Sequence, residues 1–109
     1  MIEEDPSDKL VEVATPLIRS RFLSSFLEFD GKPLFLKWEG ANPTGTHKDR
    51  AALAHVRAAS GLGEKVVTAG TCGNFGVALA YYARAFGLEA VIYVPRRYEN
   101  GRIAEMRRL

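Results

Sequence analysis

Two short stretches of this chain contain residues that could do chemistry. The first, NPTGTHKDR at 42–50, places the amine of Lys48 in what reads as the first turn of a helix. Exposed N–H groups make that end of a helix electropositive, so an ammonium is disfavoured there. If the site is also partly desolvated, the neutral amine gains, and a neutral amine is a nucleophile that forms Schiff bases with carbonyls. The second stretch, VVTAGTCGNFGVALAYYARAFG at 66–87, is a strand, a glycine-rich turn and a helix. Gly70, Gly73 and Gly76 let backbone approach a ligand, and free N–H groups at the helix start favour a phosphate or carboxylate. A purely structural reading stands beside both. It makes Lys48 a solvated side chain on a well-made helix start, with Thr46 and Asp49 as a capping-box-like pair, and the glycines a close-packed β–α turn.

The elements that must position these residues follow from pattern and punctuation. Residues 1–14 read as a loosely attached acidic segment. Thr15–Pro16 favours extended backbone, DGK at 30–32 is a turn signal, and PLFLKW at 33–38 reads as a strand. A helix is expected over 46–60, closed by Gly61 and Gly63, then a strand over 65–69. A second helix is expected over 71–86 with Gly87 just past its end, and a strand over 90–94. A third helix begins in ENGRIAEMRRL, with Ile103, Met106 and Leu109 on one side. Strand–helix alternation with continuous apolar strands predicts an α/β fold with parallel strands. Ligands of such sheets bind where strands end and helices begin, which is where both stretches fall.

Composition bounds the remaining classes. The 109 residues, 47% hydrophobic and 26% charged, suit one modest core. The net charge of +2 and a basic tail of Arg96, Arg97, Arg102, Arg107 and Arg108 read as a solvated helix face rather than a nucleic-acid surface. A single cysteine, Cys72, excludes an internal disulfide and reads as a structural thiol in a reducing compartment. With an acidic N-terminal segment and no long apolar run, a cytoplasmic chain with no membrane partner is expected. His47 and His55 have no partners at ligand spacing, so no metal site is expected. A dinucleotide fold with Arg96 and Arg97 at a 2′-phosphate is a rival reading. Its G-x-G-x-x-G spacing is not met, and it leaves Lys48 unused.

Taken together, the motifs resemble the fold-type II pyridoxal-phosphate enzymes, the tryptophan synthase β superfamily. They are TPL at 15–17, LFLKWEGANPTGTHKDR at 34–50, TAGTCGNFGVALAYYARAFGL at 68–88 and AVIYVP at 90–95, in the family's order. The resemblance implies a three-layer sandwich with a mostly parallel sheet, of which residues 15–109 are the incomplete N-terminal part. It implies pyridoxal 5′-phosphate as cofactor and a small amino acid as substrate. Lys48 matches the lysine that holds the cofactor as a Schiff base. Asn74 matches the asparagine bonded to the cofactor's phenolic oxygen, and His47 is a further cofactor-binding position. Thr71, Cys72, Gly73, Asn74 and Phe75 match the loop that holds the substrate α-carboxylate.

NPTG-x-x-KDR looks most like threonine synthase, which converts O-phosphohomoserine to threonine. Serine/threonine dehydratase and cysteine synthase are the alternatives. Phe75, standing where cysteine synthases carry threonine, counts against the last, and Cys72 stands where serine is common. No acidic residue near Ala69 supports a tryptophan synthase β activity. The family's phosphate loop and ring-nitrogen partner are expected further along than Leu109. The isolated chain is therefore expected to be inactive and to self-associate or bind a complementing chain; a non-catalytic partner fragment is the further alternative.

Overall fold

The computed structural model describes residues 14–27, 31–98 and 100–109. The segment expected to be loosely attached, 1–14, lies outside them except for Ala14. The elements run β1 (Leu17–Ser20), α1 (Arg21–Phe26), β2 (Leu34–Lys37), a 3₁₀ turn (Glu39–Ala41), α2 (Lys48–Gly61), β3 (Val66–Gly70), α3 (Asn74–Ala85), β4 (Glu89–Tyr93) and α4 (Gly101–Arg108).

The α/β class holds, with β3 and β4 pairing parallel from Val66↔Glu89 to Gly70↔Tyr93. The strand at 34–37 does otherwise. β2 pairs antiparallel with β1, Leu17 opposite Lys37 and Ser20 opposite Leu34, so the described strands form two separate two-stranded sheets. Between them α1 has six residues, about 9 Å, and the chain turns back near Gly31 at φ +74°. Ser20 Oγ caps α1 by accepting from Leu23 N–H at 3.2 Å, and Ser24 Oγ accepts from Leu34 N–H at 2.8 Å, fastening the reversal.

Helices α2 and α3 end as their glycines require. In α3, Leu88 N–H returns to Ala83 O at 2.8 Å and Gly87 N–H to Arg84 O at 3.2 Å, with Gly87 at φ +70°. In α2, Glu64 N–H returns to Ala59 O and Gly63 N–H to Ser60 O, with Gly63 at φ +75°. Both are Schellman closures, in which a left-handed residue satisfies the last carbonyls. Both helices start later than their sequence patterns suggest, at Lys48 and Asn74. Residues 46–47 and 71–73 stay in the loops, with Gly73 at φ −143°, ψ −142°, outside helical values.

The core forms where the two helices meet β3. Ala52, Leu53 and Val56 of α2 pack with Val67 of β3 and with Ala78, Leu79, Tyr82 and Ala83 of α3. Small residues on both helices let their backbones come close, and Leu79 at 0% exposure fills the space left. Helix α4 is capped by Asn100, whose side chain accepts from Ile103 N–H. Ile103 is buried, and the Met106 side chain lies over Gly76.

Gly76 is thus a packing glycine. A Cβ there would stand 2.6 Å from Met106 Cε and 2.9 Å from Thr71 Cγ2. Gly76→Val should lower unfolding stability by about 1–3 kcal/mol through overpacking. Gly61→Ala, within a helix and facing open space, should instead raise it by about 0.5–1 kcal/mol. Urea denaturation of both variants checks the contrast.

Candidate active site

Topology brings the two chemical stretches to one end of the parallel pair. The short turn at 62–65 feeds the end of α2 directly into β3, so α2 runs back along β3 and begins near that strand's far end. Helix α3 begins three residues after the same end of β3. The starts of α2 and α3, carrying Lys48 and Asn74, therefore share the carboxyl end of β3, as expected for an open α/β sheet.

The lysine loop is built by its own residue types. In Asn42-Pro43-Thr44-Gly45, proline presets the second position of a β-turn, asparagine suits the first and glycine the fourth. Gly45 N–H closes the turn on Asn42 O at 2.8 Å, with Gly45 at φ +84°. Asn42 is buried, and its Nδ2 lies within 3.0 Å of Glu39 O, Glu39 Oε2 and Thr46 O.

Thr46 does cap, but over a shorter span than a capping box. Its Oγ1 accepts from Lys48 N–H at 3.2 Å, and His47 occupies the cap position without a side-chain bond. Asp49 does not reach back to Thr46. Its carboxylate accepts Thr44 N–H at 2.8 Å, the Thr44 hydroxyl, and the Tyr82 hydroxyl at 3.1 Å from α3. Asp49 is 2% exposed, and a charge so enclosed is tolerable only with such donors. Burial, and then the neighbouring Asp49 charge, push the Tyr82 phenol well above its ordinary pKa, so it stays a donor.

Arg50 holds the other side of the loop. Its guanidinium forks onto Glu39, Nε to Oε2 at 2.8 Å and Nη2 to Oε1 at 3.0 Å, the bidentate form that is strongest for this pair. Nη2 also donates to Thr15 Oγ1 at 2.9 Å, and Thr15 Oγ1 donates to Glu39 Oε1 at 2.7 Å. Arg50 first, and then Thr15, hold the Glu39 carboxyl down at about 2.

Between these anchors Lys48 is the first residue of α2, as its sequence position suggests. It is exposed rather than desolvated, and its amine has no hydrogen-bond or ion-pair partner among the described residues. His47 is likewise exposed.

In the second loop, Thr71 N–H extends the sheet by donating to Tyr93 O at 3.0 Å, and Cys72 O accepts from Asn100 Nδ2 at 3.1 Å. No described residue accepts the N–H of Cys72, Gly73, Asn74 or Phe75, leaving four donors at a helix start. A Cβ added at Gly70 or Gly73 would meet nothing within 4 Å. The Asn74 side chain is exposed, and Phe75 packs its ring against the core. Among the described residues, no hydrogen bond or ion pair joins Lys48 to the 71–75 loop. What sequence reasoning missed is the support: Thr15, Glu39, Asn42, Asp49, Arg50 and Tyr82. The KDR spacing was the only available signal for Asp49 and Arg50.

Among the described residues no helix is long and apolar enough to cross a membrane. Nor, among them, are there three or more His, Cys, Asp or Glu placed to hold a metal ion.

Residues 9–109 match the family described as Pyridoxal-phosphate dependent enzyme. A threonine synthase from a Bacillus species (strain ULM1) is 35% identical over 104 residues, 94% of this chain and 29% of that protein. Cysteine synthase 1 of Emericella nidulans is 41% identical over 99 residues, 87% of this chain and 26% of that protein. In backbone the chain resembles a crystal structure of a pyridoxal 5′-phosphate-dependent aspartate racemase, with a TM-score of 0.79 and 24% identity, covering 94% of this chain and 33% of that one. The chain thus spans under a third of the length of these curated relatives.

The Glu39 network makes stability depend on acidity in one direction. With its folded pKa at about 2, below the ordinary 4.5, Glu39 contributes stability above the ordinary value and loses it as pH falls through about 2. Glu39→Gln should flatten the fall in unfolding stability across that window, measured by urea melts at stepped pH.

Proposed function

The chain belongs to the pyridoxal-phosphate dependent enzyme family, and on that premise we propose that residues 15–109 are the part of a lyase or synthase that carries its cofactor lysine and substrate-carboxylate loop. The observation that supports this most is the shared end. A first-turn lysine with no partner among the described residues and four open helix-start N–H groups lie at the carboxyl end of the same strand.

The donor set fits the cofactor and an amino acid. A primary amine at Lys48 would hold the cofactor's carbonyl carbon, and Asn74, with His47 nearby in sequence on the first loop, would contact its ring substituents. The N–H groups of Cys72, Gly73, Asn74 and Phe75, beside the open face of Gly73, would take the substrate α-carboxylate, with Thr71 at the loop's entry. Pyridoxal phosphate, when bound, supplies an electron sink for charge developing on the substrate carbons. Once the substrate's own amine had taken its place on that carbon, the freed Lys48 amine would serve as the base that takes and returns the proton at the substrate carbons. Fixing the carboxylate on backbone donors orients the α-carbon toward that amine.

Within the family we favour a threonine synthase-like activity, O-phosphohomoserine to threonine, supported by NPTG-x-x-KDR. A serine/threonine dehydratase- or cysteine synthase-like activity is the second reading, and the 41% identity to a cysteine synthase keeps it in play. Phe75, standing where cysteine synthases carry threonine, counts against the cysteine synthase-like form and leaves the dehydratase-like one open. Apolar side chains exposed on the β1–α1–β2 ribbon, with Phe22 at 73% and Trp38 at 59%, support association with a second copy or a complementing chain.

Incubation with pyridoxal phosphate, borohydride reduction and peptide mapping test the assignment. The label is expected on Lys48 in preference to Lys32, Lys37 and Lys65, and to disappear from that peptide in Lys48→Ala. An even spread over the lysines would overturn it.

A further inference from the structure

Asp49 is nearly fully buried, and the chemistry proposed above does not use it. It is the residue directly after the reactive lysine, yet its surroundings differ. While Lys48 is exposed, the Asp49 carboxylate is turned into the protein, onto Thr44 of the loop and Tyr82 of the facing helix. Three donors from two elements converge on it. Two come from the far side of the loop that leads into α2, and one from a helix whose own start carries the second loop. We propose that Asp49 is a positioning residue for Lys48, its carboxylate setting the angle at which loop 42–47 enters α2 and the placement of that entry relative to α3. This inference rests on the reading of Lys48 as the cofactor lysine.

The geometry carries the proposal in three ways. First, Lys48 and Asp49 are consecutive on a helix, so fixing the Asp49 side chain fixes the Cα–Cβ direction of its neighbour to within the helix's own tolerance. Second, α2 begins at Lys48, and among the described residues the side-chain bonds at its leading edge include Thr46 Oγ1 to Lys48 N–H, the Arg50 fork and the Asp49 cluster. Of these only Asp49 reaches α3. Third, Tyr82 belongs to the core cluster and is 3% exposed, so the carboxylate is tied to the packed core of the fold. A reactive amine at an unfastened helix start would sample many positions. Misplacement by about 1 Å can cost on the order of a hundredfold in rate.

Thr44→Val and Thr44→Ser separate positioning from mere stability, because both keep the N–H bond, the charge on Asp49 and the side-chain size within one atom. In the 109-residue chain, the initial rate of pyridoxal phosphate labelling at Lys48 is taken relative to Lys65 in the same borohydride-reduced digest. Thr44→Val should lower that ratio by about threefold or more, and Thr44→Ser should return it to near the parent value. An unchanged ratio in Thr44→Val, or failure of Thr44→Ser to restore it, would overturn the proposal.

If the parent shows no preference for Lys48, the cofactor-lysine reading is what has failed. Positioning is then judged from the pH profile of Lys48 acylation by acetic anhydride, with Lys65 as the internal reference. A Lys48 profile that shifts in Thr44→Val and recovers in Thr44→Ser supports positioning, and one that stays fixed overturns it.

Discussion

A carboxylate taken out of water must be met by hydrogen-bond donors or it destabilises the fold by several kcal/mol. Asp49, at 2% exposure, meets that demand with Thr44 N–H, the Thr44 hydroxyl and the Tyr82 hydroxyl. Much of the lysine end of the molecule follows from this. The 42–45 turn must place Thr44 over the start of α2, and α3 must present Tyr82 at the level of Asp49. The small residues Ala52, Ala78 and Ala83 then let the helices approach closely enough for that phenol to reach. The Tyr82 phenol is held protonated by its burial and by the charge it serves, so donor and acceptor reinforce one another.

The residues that would meet a ligand and the residues that hold the site are interleaved along the chain. Lys48 is followed by Asp49, which faces the core, and by Arg50, which grips Glu39 and Thr15 on the opposite side. In the second loop the N–H of Thr71 is joined to β4 and the carbonyl of Cys72 to the α4 cap, while the N–H groups of Cys72, Gly73, Asn74 and Phe75 stay open. Gly76, in the first turn of α3, is closed over by Met106, whereas Gly70 and Gly73 face open space. Three glycines at regular spacing thus have two duties: access to backbone in two of them, close packing of α4 in the third.

The sequence patterns marked α2, β3, α3, β4 and α4 to within a few residues, because each has an apolar period and a glycine or asparagine at its boundary. Gly63 and Gly87 ended their helices for the reason expected, a left-handed residue that satisfies the last carbonyls. The β1–β2 ribbon was less legible. Its strands have four residues each, most of them exposed, so neither alternation nor a buried run marks the antiparallel partner of β2. Lys48 and the 71–75 loop were legible as chemistry. Their supports were not, since Asp49–Tyr82 and Thr15–Arg50 join residues 33 and 35 apart, which no local pattern encodes. The capping-box pair was the instructive miss. Its residue types were right, but burial drew Asp49 to Thr44 and Tyr82 instead of to the backbone of Thr46.

The central claim is that the lysine loop is fastened to the helical core through Asp49. Native-state amide hydrogen exchange at Thr44 reads that bond directly, because its N–H donates to the buried carboxylate. The account predicts that Thr44 exchanges as slowly as Leu53 and Val56 of α2, and that denaturant accelerates all three together, as one cooperative unit. Exchange at Thr44 at the rate of an unprotected loop amide, while Leu53 and Val56 stay slow, would contradict it.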